Sequence, residues 1–506
     1  MRLIRFISLW CILLFAIGSC SDGPCNADFL IRGGSILDGT GAPAYQADLY
    51  IANGKITAID KKGNFQCTVA DTIDATGLIV TPGFIDVHAH GDPMETPDFE
   101  NFLAMGVTTI FLGQDGSSPW VAELGKLVMD DSLRTGVNIG YMAGHATLRR
   151  GSGVGHTAAN EREIERMNEL VDDAFNAGCF GVSTGLEYVP GNFASQQELK
   201  GLAQAVGDHG GMIMSHLRSE DDEVLERSLR ELIRQGELCR VHSAHLKSVY
   251  GRGSERAEEI LGILKEARRD GVEITADMYP YLASYTGISI VFPPWAKTTE
   301  DFEYARISRK EELERYLYDR VMARNGPEAT LFGGPPFIGK TLREVANEAR
   351  RPFVDILMML GPESISAAYF IMDEELQERL FLAPFVMVGS DGSPTMHHPR
   401  GHGTFARVLK RFVLDRKLLT LEEAVHKMTG LPAATIGLKQ RGLIKEGYLA
   451  DLTVMDTALV EDRATFANPH IMAEGFIYVI VNGKIARSTG LDKVSRHGHI
   501  LNALVE

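Results

Sequence analysis

The sequence of 506 residues predicts an α/β fold: a (β/α)₈ barrel of the TIM type with a small β-sandwich domain built from both chain ends. Two observations predict it. Short apolar runs alternate with helical patterns through the middle of the chain, as in βα units around a parallel sheet. Alternating β-type segments with Asn-Gly turns lie at both ends, and each end contains the string NGKI. A doubly wound open sheet is the alternative for the central part.

Eight apolar runs define the predicted barrel strands. They are LIVTPGFIDVHAH, GVTTIFLGQDG, VNIGYMAGH, GCFGVSTG, GGMIMSHLR, CRVHSAHLKS, GVEITADMYPY and FVMVGSDG. Four stretches between them have helical apolar spacing and end at a glycine, which suits a helix stop. They are EREIERMNELVDDAFNAG, SQQELKGLAQAVGDHG, DDEVLERSLRELIRQG and ERAEEILGILKEARRDG. Eight such units over residues 79–437 fit a closed barrel.

A long segment, at about residues 285–384, separates the seventh run from the eighth. It contains FPPW and FGGPPF and mixes helical with Pro/Gly-rich patterns. Insertions after barrel strands lie on the C-terminal face, so this one could form a lid or wall of a pocket. An outward decoration or an oligomer contact is the alternative. The small β domain is predicted over residues 26–78 and 438–490.

The N-terminus has the pattern of an export signal. Arg2 and Arg5 precede an apolar run over residues 6–17, and small residues lead into Cys20. This is typical of a bacterial lipoprotein signal peptide over residues 1–20, in which the cysteine is lipidated, and a plain secretory signal is the alternative. Both place the mature protein outside the cytoplasm, on the periplasmic side of a membrane. The first also predicts a lipid anchor on Cys20.

Composition narrows the function classes. The formal net charge is −16, and a phosphate backbone requires a basic face, so no nucleic-acid partner is expected. After the first twenty residues no run is long and apolar enough to span a membrane. We therefore expect a small-molecule substrate.

The cysteines predict no metal site. Their spacing is irregular, which fits neither a disulfide framework nor a CxxC zinc site. The spacing leaves open whether Cys25 and Cys67 pair in an oxidising compartment. Cys179 and Cys239 are expected to be buried small apolar residues.

Ligand-type side chains fall at the ends of the predicted strands. His88 and His90 are two residues apart on the first strand, so both face the same way. His216, His245 and Asp391 end the fifth, sixth and eighth runs. Barrel enzymes place catalytic groups at these C-terminal ends, so four histidines and a carboxylate should converge on one rim. Imidazole and carboxylate ligands without thiolate pairs favour zinc or a similar divalent ion.

Asp115 is ambiguous in sequence alone. It stands in GQDGSS, which directly follows the second run, and Asp and Gly are turn formers. The same position also places Asp115 on the predicted rim. His242 is an odd number of residues from His245 and is expected to face the helices. Three histidines of the loop after Asp391 could line a pocket but are not predicted ligands: His397, His398 and His402.

The motifs together resemble a known family. PGFIDVHAH, AGHATLR, GVSTGLEYVP, SHLRSED, SAHLK, DMYPY, and GSDGSP followed by HPRGHGTF are similar to the amidohydrolase superfamily and, within it, to the N-acyl-D-amino-acid deacylases, or D-aminoacylases. The likeness runs over about residues 30–484. It implies metal-dependent hydrolysis of the amide bond of N-acyl-D-amino acids or of dipeptides with a C-terminal D-residue. It also implies that the site binds one or two divalent metal ions, with zinc as the first candidate.

The resemblance implies a role for each matching residue. His88 and His90 would hold one metal position, and His216 and His245 the other. Asp391 matches the catalytic aspartate, which would take a proton from the attacking water and deliver it to the leaving amine. Metal binding would make that water available as hydroxide near neutral pH.

The turn after the second strand departs from the family pattern. The deacylases have a GNCG-like turn whose cysteine holds the metals, and GQDG places Asp115 there. Related amidohydrolases bridge two metals with a carboxylate, so Asp115 is expected to be a metal ligand, and a turn residue is the alternative. An oxygen ligand weakens selectivity for soft metals. His145, in AGHATLR, is expected to orient other groups rather than to bind metal.

Substrate contacts follow from the same resemblance. Tyr279 and Arg400 match positions that hold the substrate carboxylate, and Arg400 can grip it with a bidentate fork. Lys247 and Arg218 each lie two residues beyond a proposed ligand and are expected to contact the substrate as well.

Two other functions are open. A cyclic amidase of the hydantoinase or dihydroorotase type uses the same barrel and histidines, but the fourth run ends in STGLEY, with no lysine at its tip to carry a bridging carboxylate. A surface binding protein that has lost catalysis is the second alternative. Retention of the four histidines and Asp391 argues against it.

Overall fold

In a computed structural model, which describes residues 25–490 and 493–506, the eight predicted runs form a parallel sheet. We number its strands 1 to 8: Phe84–Asp86, Val107–Leu112, Asn138–Gly144, Gly181–Gly185, Met212–His216, Arg240–Ser243, Ile274–Met278 and Val386–Val388. Neighbours pair in that order, and a parallel bridge between Ala89 and Gly392 joins strand 1 to strand 8. The sheet is therefore a closed barrel, which confirms the predicted fold class over the open sheet.

Helices surround the barrel. They are Glu100–Ala104, Val121–Met129, His145–Gly151, Glu161–Asn176, Gln196–Asp208, Asp222–Gln235, Gly253–Arg269, Glu374–Phe381, Arg400–Arg407, Leu421–Met428 and Gly430–Ile436, with a π-helical turn at Val408–Asp415. The four helices predicted from apolar spacing are among them. The Asn160 side chain begins one by accepting from the Glu163 backbone N–H, a capping box. In the described ranges, no helix is long and apolar enough to cross a bilayer.

Two apolar layers stabilise the barrel. Large side chains such as Phe111, Met142 and Met214 fill its interior. A larger cluster, which includes Val182 and Ile213, lies between the strands and the helices. Because alternate strand residues face these two layers, the strands are buried on both sides and read as continuous apolar runs.

Both chain ends meet in one eight-stranded sheet with an apolar core of its own. Its strands are Asn26–Ile36, Tyr45–Ala52, Lys55–Asp60, Thr68–Asp74, Ile79–Pro82, Leu452–Met455, Phe476–Val481 and Lys484–Ser488. The two NGKI strings form its two-residue hairpin loops. Asn53, Gly54, Asn482 and Gly483 all have positive φ, as a type I′ turn requires. Cys25 and Cys67 form a disulfide at one edge, which settles the question that their spacing left open.

The segment between strands 7 and 8 forms a compact unit over the C-terminal face. It has a three-stranded antiparallel sheet and its own apolar core. The strands are Ala283–Gly287, Thr330–Phe332 and Ser366–Phe370, and the helices are Thr299–Ser308, Lys310–Ala323, Leu342–Ala349 and Phe353–Leu360. Helix Glu374–Phe381, although inside the predicted insertion, packs against Gly253–Arg269 in the ring around the barrel.

Candidate metal centre and active site

Asp115 lies at the centre of a group of histidines on the C-terminal rim. Its Oδ1 is 3.5 Å from Nε2 of His88, from Nδ1 of His216 and from Nε2 of His245. Its Oδ2 is 3.5 Å from Nε2 of His90. The structure therefore brings the four predicted histidines and Asp115 together, although they come from strands far apart in sequence.

Asp391 completes the group on the His90 side. Its Oδ1 lies 3.0 Å from His90 Nε2 and 3.8 Å from His88 Nε2. Its Oδ2 pairs with Arg400 Nη2 at 2.9 Å. Burial opposes ionisation, but the Arg400 guanidinium and the neighbouring histidines outweigh it and lower the pKa of Asp391. Asp391 is consequently a carboxylate at neutral pH and able to accept a proton.

The spacing of the donor atoms fits a metal ion. Ligands at about 2.0–2.1 Å from a tetrahedral ion lie about 3.3–3.4 Å from one another. The 3.5 Å separations around Asp115 Oδ1 are close to that value and exceed an ordinary hydrogen bond. Asp115 Oδ1, His88 Nε2 and His216 Nδ1 are buried and have no hydrogen-bond partner among the described residues. Buried polar atoms are rarely left unpaired, so a cation at this position would satisfy all three.

Asp115 belongs to two possible ligand groups. One consists of His88, His90, Asp115 and Asp391, and the other of Asp115, His216 and His245. In each group the potential ligand atoms lie within 4.8 Å of one another. A single carboxylate thus faces two adjoining sets of imidazoles, an arrangement that suits either one ion or a bridged pair.

Three site residues have left-handed backbone conformations. The φ angles are 53° at Asp115, 35° at His245 and 49° at Asp391. Each residue stands two or three positions after the end of a strand, where the chain has left the regular pleat. Such strain is typical of functional sites. Asp115 is therefore both a turn residue and a member of the site, so the two interpretations of GQDGSS are compatible.

Asp277, which sequence reasoning missed, lies behind His88. Its Oδ2 is 3.6 Å from His88 Nδ1 and 2.8 Å from His242 Nε2. The prediction that His242 faces the helices is wrong, because this contact places the ring inside the barrel. Strand 6 ends at Ser243 and His245 has a positive φ, so strand alternation does not relate the two histidines. The signal for Asp277 was its place in the strand-7 motif DMYPY.

His216 and His245 have carboxylates behind them too. Glu187 Oε2 is 3.3 Å from His216 Nε2, and Glu220 Oε1 is 3.0 Å from His245 Nδ1. A metal on the Nε2 side of His245 requires that nitrogen to be unprotonated. Nδ1 then donates to Glu220 rather than accepting from Lys247 Nζ, which is 2.7 Å away. Such carboxylates select the tautomer and make the imidazole a stronger ligand. GLEY and SHLRSED contained both residues, but nothing in the sequence connected them to the histidines.

Carboxylates dominate the charge of the site. Five of them face the four histidines: Asp115, Glu187, Glu220, Asp277 and Asp391. Among the described residues, two permanently charged cations form salt bridges with these carboxylates, Lys247 and Arg400. The carboxylates therefore outnumber the cations by three. Burial lowers the pKa of His216, but Glu220, Asp115 and Glu187 raise it to about 10. This surplus of negative charge favours a bound cation.

Three predicted substrate residues line the space beside this group. Lys247, Tyr279 and Arg400 border a narrow cavity between the site and the inserted unit. The Arg400 guanidinium lies over the Tyr279 ring, 4.8 Å from its centre. His398 Nδ1 accepts from the Arg400 backbone N–H at 3.0 Å and so positions the residue rather than binding metal. The inserted unit lines the cavity with Tyr285 and Thr286 and therefore forms a wall, one of the two predicted possibilities.

Arg218 and His145 lie away from the site. Arg218 pairs with Glu231 at 2.9 Å and borders neither this cavity nor the wider one beside Asp115. The expectation of a substrate contact is therefore not met, because strand 5 ends at His216 and its alternation does not extend two residues further. His145 Nε2 contacts Glu198 at 2.8 Å in a buried cluster and touches none of the proposed ligands.

Comparison with known proteins places the chain in a family. An amidohydrolase family model matches residues 383–487. The chain is 34% identical to N-acyl-D-aspartate deacylase of Alcaligenes xylosoxydans xylosoxydans, over 95% of this chain and 96% of the relative. It is 35% identical to N-acyl-D-glutamate deacylase of the same organism, over 90% and 93%.

Solved structures agree. One is the crystal structure of N-acyl-D-glutamate deacylase from Bordetella bronchiseptica, complexed with zinc and a phosphonate mimic of the tetrahedral intermediate. Its TM-score is 0.82 and its sequence identity is 32%, and the match covers 94% of this chain and 100% of that one. L-hydantoinase from Arthrobacter aurescens shares the fold, with a TM-score of 0.55 and 16% identity over 94% of this chain and 100% of that one. The chain belongs to the N-acyl-D-amino-acid deacylase, or D-aminoacylase, family of the amidohydrolases.

Proposed function

We propose that the protein hydrolyses the amide bond of N-acyl-D-amino acids, or of dipeptides with a C-terminal D-residue. The observation that carries this is the position of Asp115 Oδ1, 3.5 Å from three imidazole nitrogens. The proposed ligands of one or two zinc ions are His88, His90, Asp115, His216 and His245. The relatives' names, and the zinc in the Bordetella enzyme, support this assignment.

Asp391 acts as the general base and then as the general acid. A bound divalent ion supplies Lewis acidity for the amide carbonyl and lowers the pKa of a water. Asp391 takes the proton of the attacking water and delivers it to the leaving amine. Arg400 pairs with Oδ2 of Asp391, which holds the Asp391 carboxylate in place and keeps it ionised.

Arg400, Tyr279 and Lys247 bind the substrate carboxylate. Nε and Nη1 of Arg400 and the Tyr279 hydroxyl are buried and lack partners among the described residues. Each unpaired buried group costs about 1–3 kcal/mol, which a bound carboxylate would recover. Nη2 of Arg400 already contacts Asp391, so one guanidinium connects the substrate carboxylate to the catalytic base.

The end of strand 4 favours an acyclic deacylase over a cyclic amidase. The strand ends at Gly185, and a Cβ there would collide with the backbone oxygen of Asp115. No lysine can occupy this position without moving the Asp115 turn. The carboxylate that a carboxylated lysine would supply is instead available from Asp115, which lies among the histidines.

Export and lipid anchoring are a second proposal, independent of the chemistry. The predicted signal and Cys20 lie outside the described residues. A disulfide between Cys25 and Cys67 supports export, because structural disulfides persist in oxidising compartments. Cys25 follows Cys20 by five residues, so an anchor at Cys20 would hold the small β domain at the membrane surface. Labelling with radioactive palmitate, lost in Cys20→Ser, tests the anchor.

One experiment tests the activity. Purified protein is analysed for metal and assayed with N-acetyl derivatives of D- and L-aspartate, glutamate, leucine and methionine, with D-dipeptides, and with hydantoins. We expect bound zinc and release of D-amino acids. No hydrolysis of any acyclic D-substrate by the metal-loaded protein would refute the proposal. Turnover of hydantoins alone would identify a cyclic amidase.

A further inference from the structure

A wide cavity of about 610 Å³ opens beside Asp115, on the side of strands 2 to 4. It meets the narrow cavity at the reaction centre, where Asp115, Tyr188, Asp391 and Arg400 border both spaces. The two differ in chemistry. Lys247 and Tyr279 border only the narrow one. A substrate whose carboxylate is bound by Lys247 and Tyr279 in the narrow cavity would therefore extend its other half into the wide one.

The walls of the wide cavity near the centre combine apolar side chains with the polar Gln114, Ser117 and Ser118. Leu112 and Tyr141 border it and are only 1% and 3% exposed. Leu127, on helix Val121–Met129, extends the wall outwards. The charged side chains that border the cavity beyond the centre, Asp92 and Arg150, are exposed and lie towards solvent. The space thus has an apolar patch formed by Leu112, Tyr141 and Leu127, beside polar groups of the turn around Asp115.

We propose that this cavity binds the acyl group of the substrate and selects straight apolar acyl chains of about six to ten carbons rather than acetyl, since spaces of about 300–1,000 Å³ hold ligands far larger than acetyl. The inference rests on the proposed deacylase function. The scissile carbonyl must lie between Asp115 and Asp391, the amine half carries the carboxylate to Arg400 and Lys247, and the acyl half has the wide cavity to fill.

The rim supports an extended chain. Trp120 is 48% exposed and Met94 is 69% exposed, and they follow the lining residues Pro119 and Pro93 directly in sequence. Large apolar side chains exposed beside a pocket mouth commonly mark a binding surface.

The first test is a chain-length series on one D-amino acid. N-acetyl-, N-butanoyl-, N-hexanoyl- and N-octanoyl-D-leucine are compared with the zinc-loaded protein. We expect kcat/KM to rise by about two- to fourfold for each added methylene, because each buried methylene contributes a similar apolar area. A flat or falling series, with N-acetyl-D-leucine still hydrolysed, overturns the inference and leaves the proposed function standing. If no D-leucine derivative is hydrolysed, the same series is run on the D-amino acid that the activity panel identifies as a substrate. No hydrolysis of any acyclic D-substrate overturns both proposals.

The second test fills the cavity. Leu127→Trp is expected to lower the octanoyl-to-acetyl ratio of kcat/KM at least tenfold. The matched control is Met129→Trp, on the same helix but 82% exposed and outside the lining, which should leave the ratio unchanged. Ala146→Leu narrows the cavity from a second helix and replaces Leu127→Trp if that variant does not fold. An unchanged ratio in the folded cavity variants overturns the inference.

Discussion

The two halves of the site around Asp115 differ in enclosure. The side chains of His216 and His245 are 5% and 1% exposed, and each has a carboxylate on the ring nitrogen turned away from Asp115. On the other side His88 is also buried and has Asp277 behind it, but the His90 side chain is 36% exposed. Among the polar side chains that the structure describes, the His90 imidazole contacts only Asp115 and Asp391.

This difference indicates that the two sides of the site have different roles. A buried imidazole with its tautomer fixed by a carboxylate is preorganised as a ligand and loses little freedom on binding metal. The His216–His245 half should therefore hold metal tightly. The more open His90 side, next to Asp391, leaves room for substrate and for exchange of a second ion.

The largest expected effect is on turnover, from Asp391→Asn. The variant removes the proton acceptor without removing an imidazole, so kcat should fall by about 10²–10⁴-fold while the protein retains its tightly held metal. Steady-state kinetics and metal analysis measure the two effects. Asp173→Asn, at an exposed aspartate on helix Glu161–Asn176 that borders neither cavity, is the matched control and should behave as wild type. A wild-type rate in Asp391→Asn would remove this residue from the mechanism.

Asp115→Asn removes the carboxylate charge that both pairs of histidines face. Asn also tolerates a left-handed backbone, so the turn should survive while the shared charge is lost. We expect metal affinity to fall by more than the roughly 10- to 100-fold typical of losing a residue behind a ligand, and activity to fall with it. Calorimetric zinc titration of the apoprotein measures the loss. Unchanged affinity and rate would make Asp115 a turn residue only.

Single-histidine variants compare the halves directly. His216→Ala should abolish the tightest zinc site, because it removes a buried ligand that borders Asp115 Oδ1. His90→Ala should leave that site intact and weaken only the binding of a second, less tightly held zinc ion per protein molecule. Titration with a chromogenic zinc chelator distinguishes them. Equal loss in both variants would show that the halves act as one site.

The smallest expected effect comes from Glu187→Gln. The variant keeps a polar group beside His216 Nε2 but removes the charge that fixes its tautomer, so zinc affinity should fall by about tenfold. Glu226→Gln, an exposed glutamate paired with Arg256, provides the control with no expected change. An affinity equal to wild type would mean that burial alone orients the His216 ring.

Strand-end reasoning predicted most of this site because parallel strands in a barrel deliver their last residues to one rim. His88, His90, His216 and Asp391 follow from that rule and from the number of strands. The rule predicts the rim but not the direction in which a side chain turns there. Arg218 lies beyond His216 and turns to Glu231.

The carboxylates behind the histidines could not be predicted from the sequence. Glu187 and Glu220 stand in connecting loops, whose course no periodicity describes, and each reaches its histidine through a tertiary contact. His242 was misplaced for the same reason as Arg218, since a left-handed residue interrupts the alternation at His245. Carboxylates behind metal ligands are therefore visible only after the backbone is known.

The bridge that closes the barrel connects the proposed catalytic base to the proposed metal ligands. The Asp391 backbone N–H donates to the His88 carbonyl at 2.8 Å, and the His90 N–H donates to the Gly392 carbonyl at 2.8 Å. The distance between proton acceptor and imidazoles is thus set by main-chain pairing and not by the unit inserted between strands 7 and 8. We therefore expect changes in that unit to alter substrate binding while the main-chain bonds that join Asp391 and Gly392 to His88 and His90 persist.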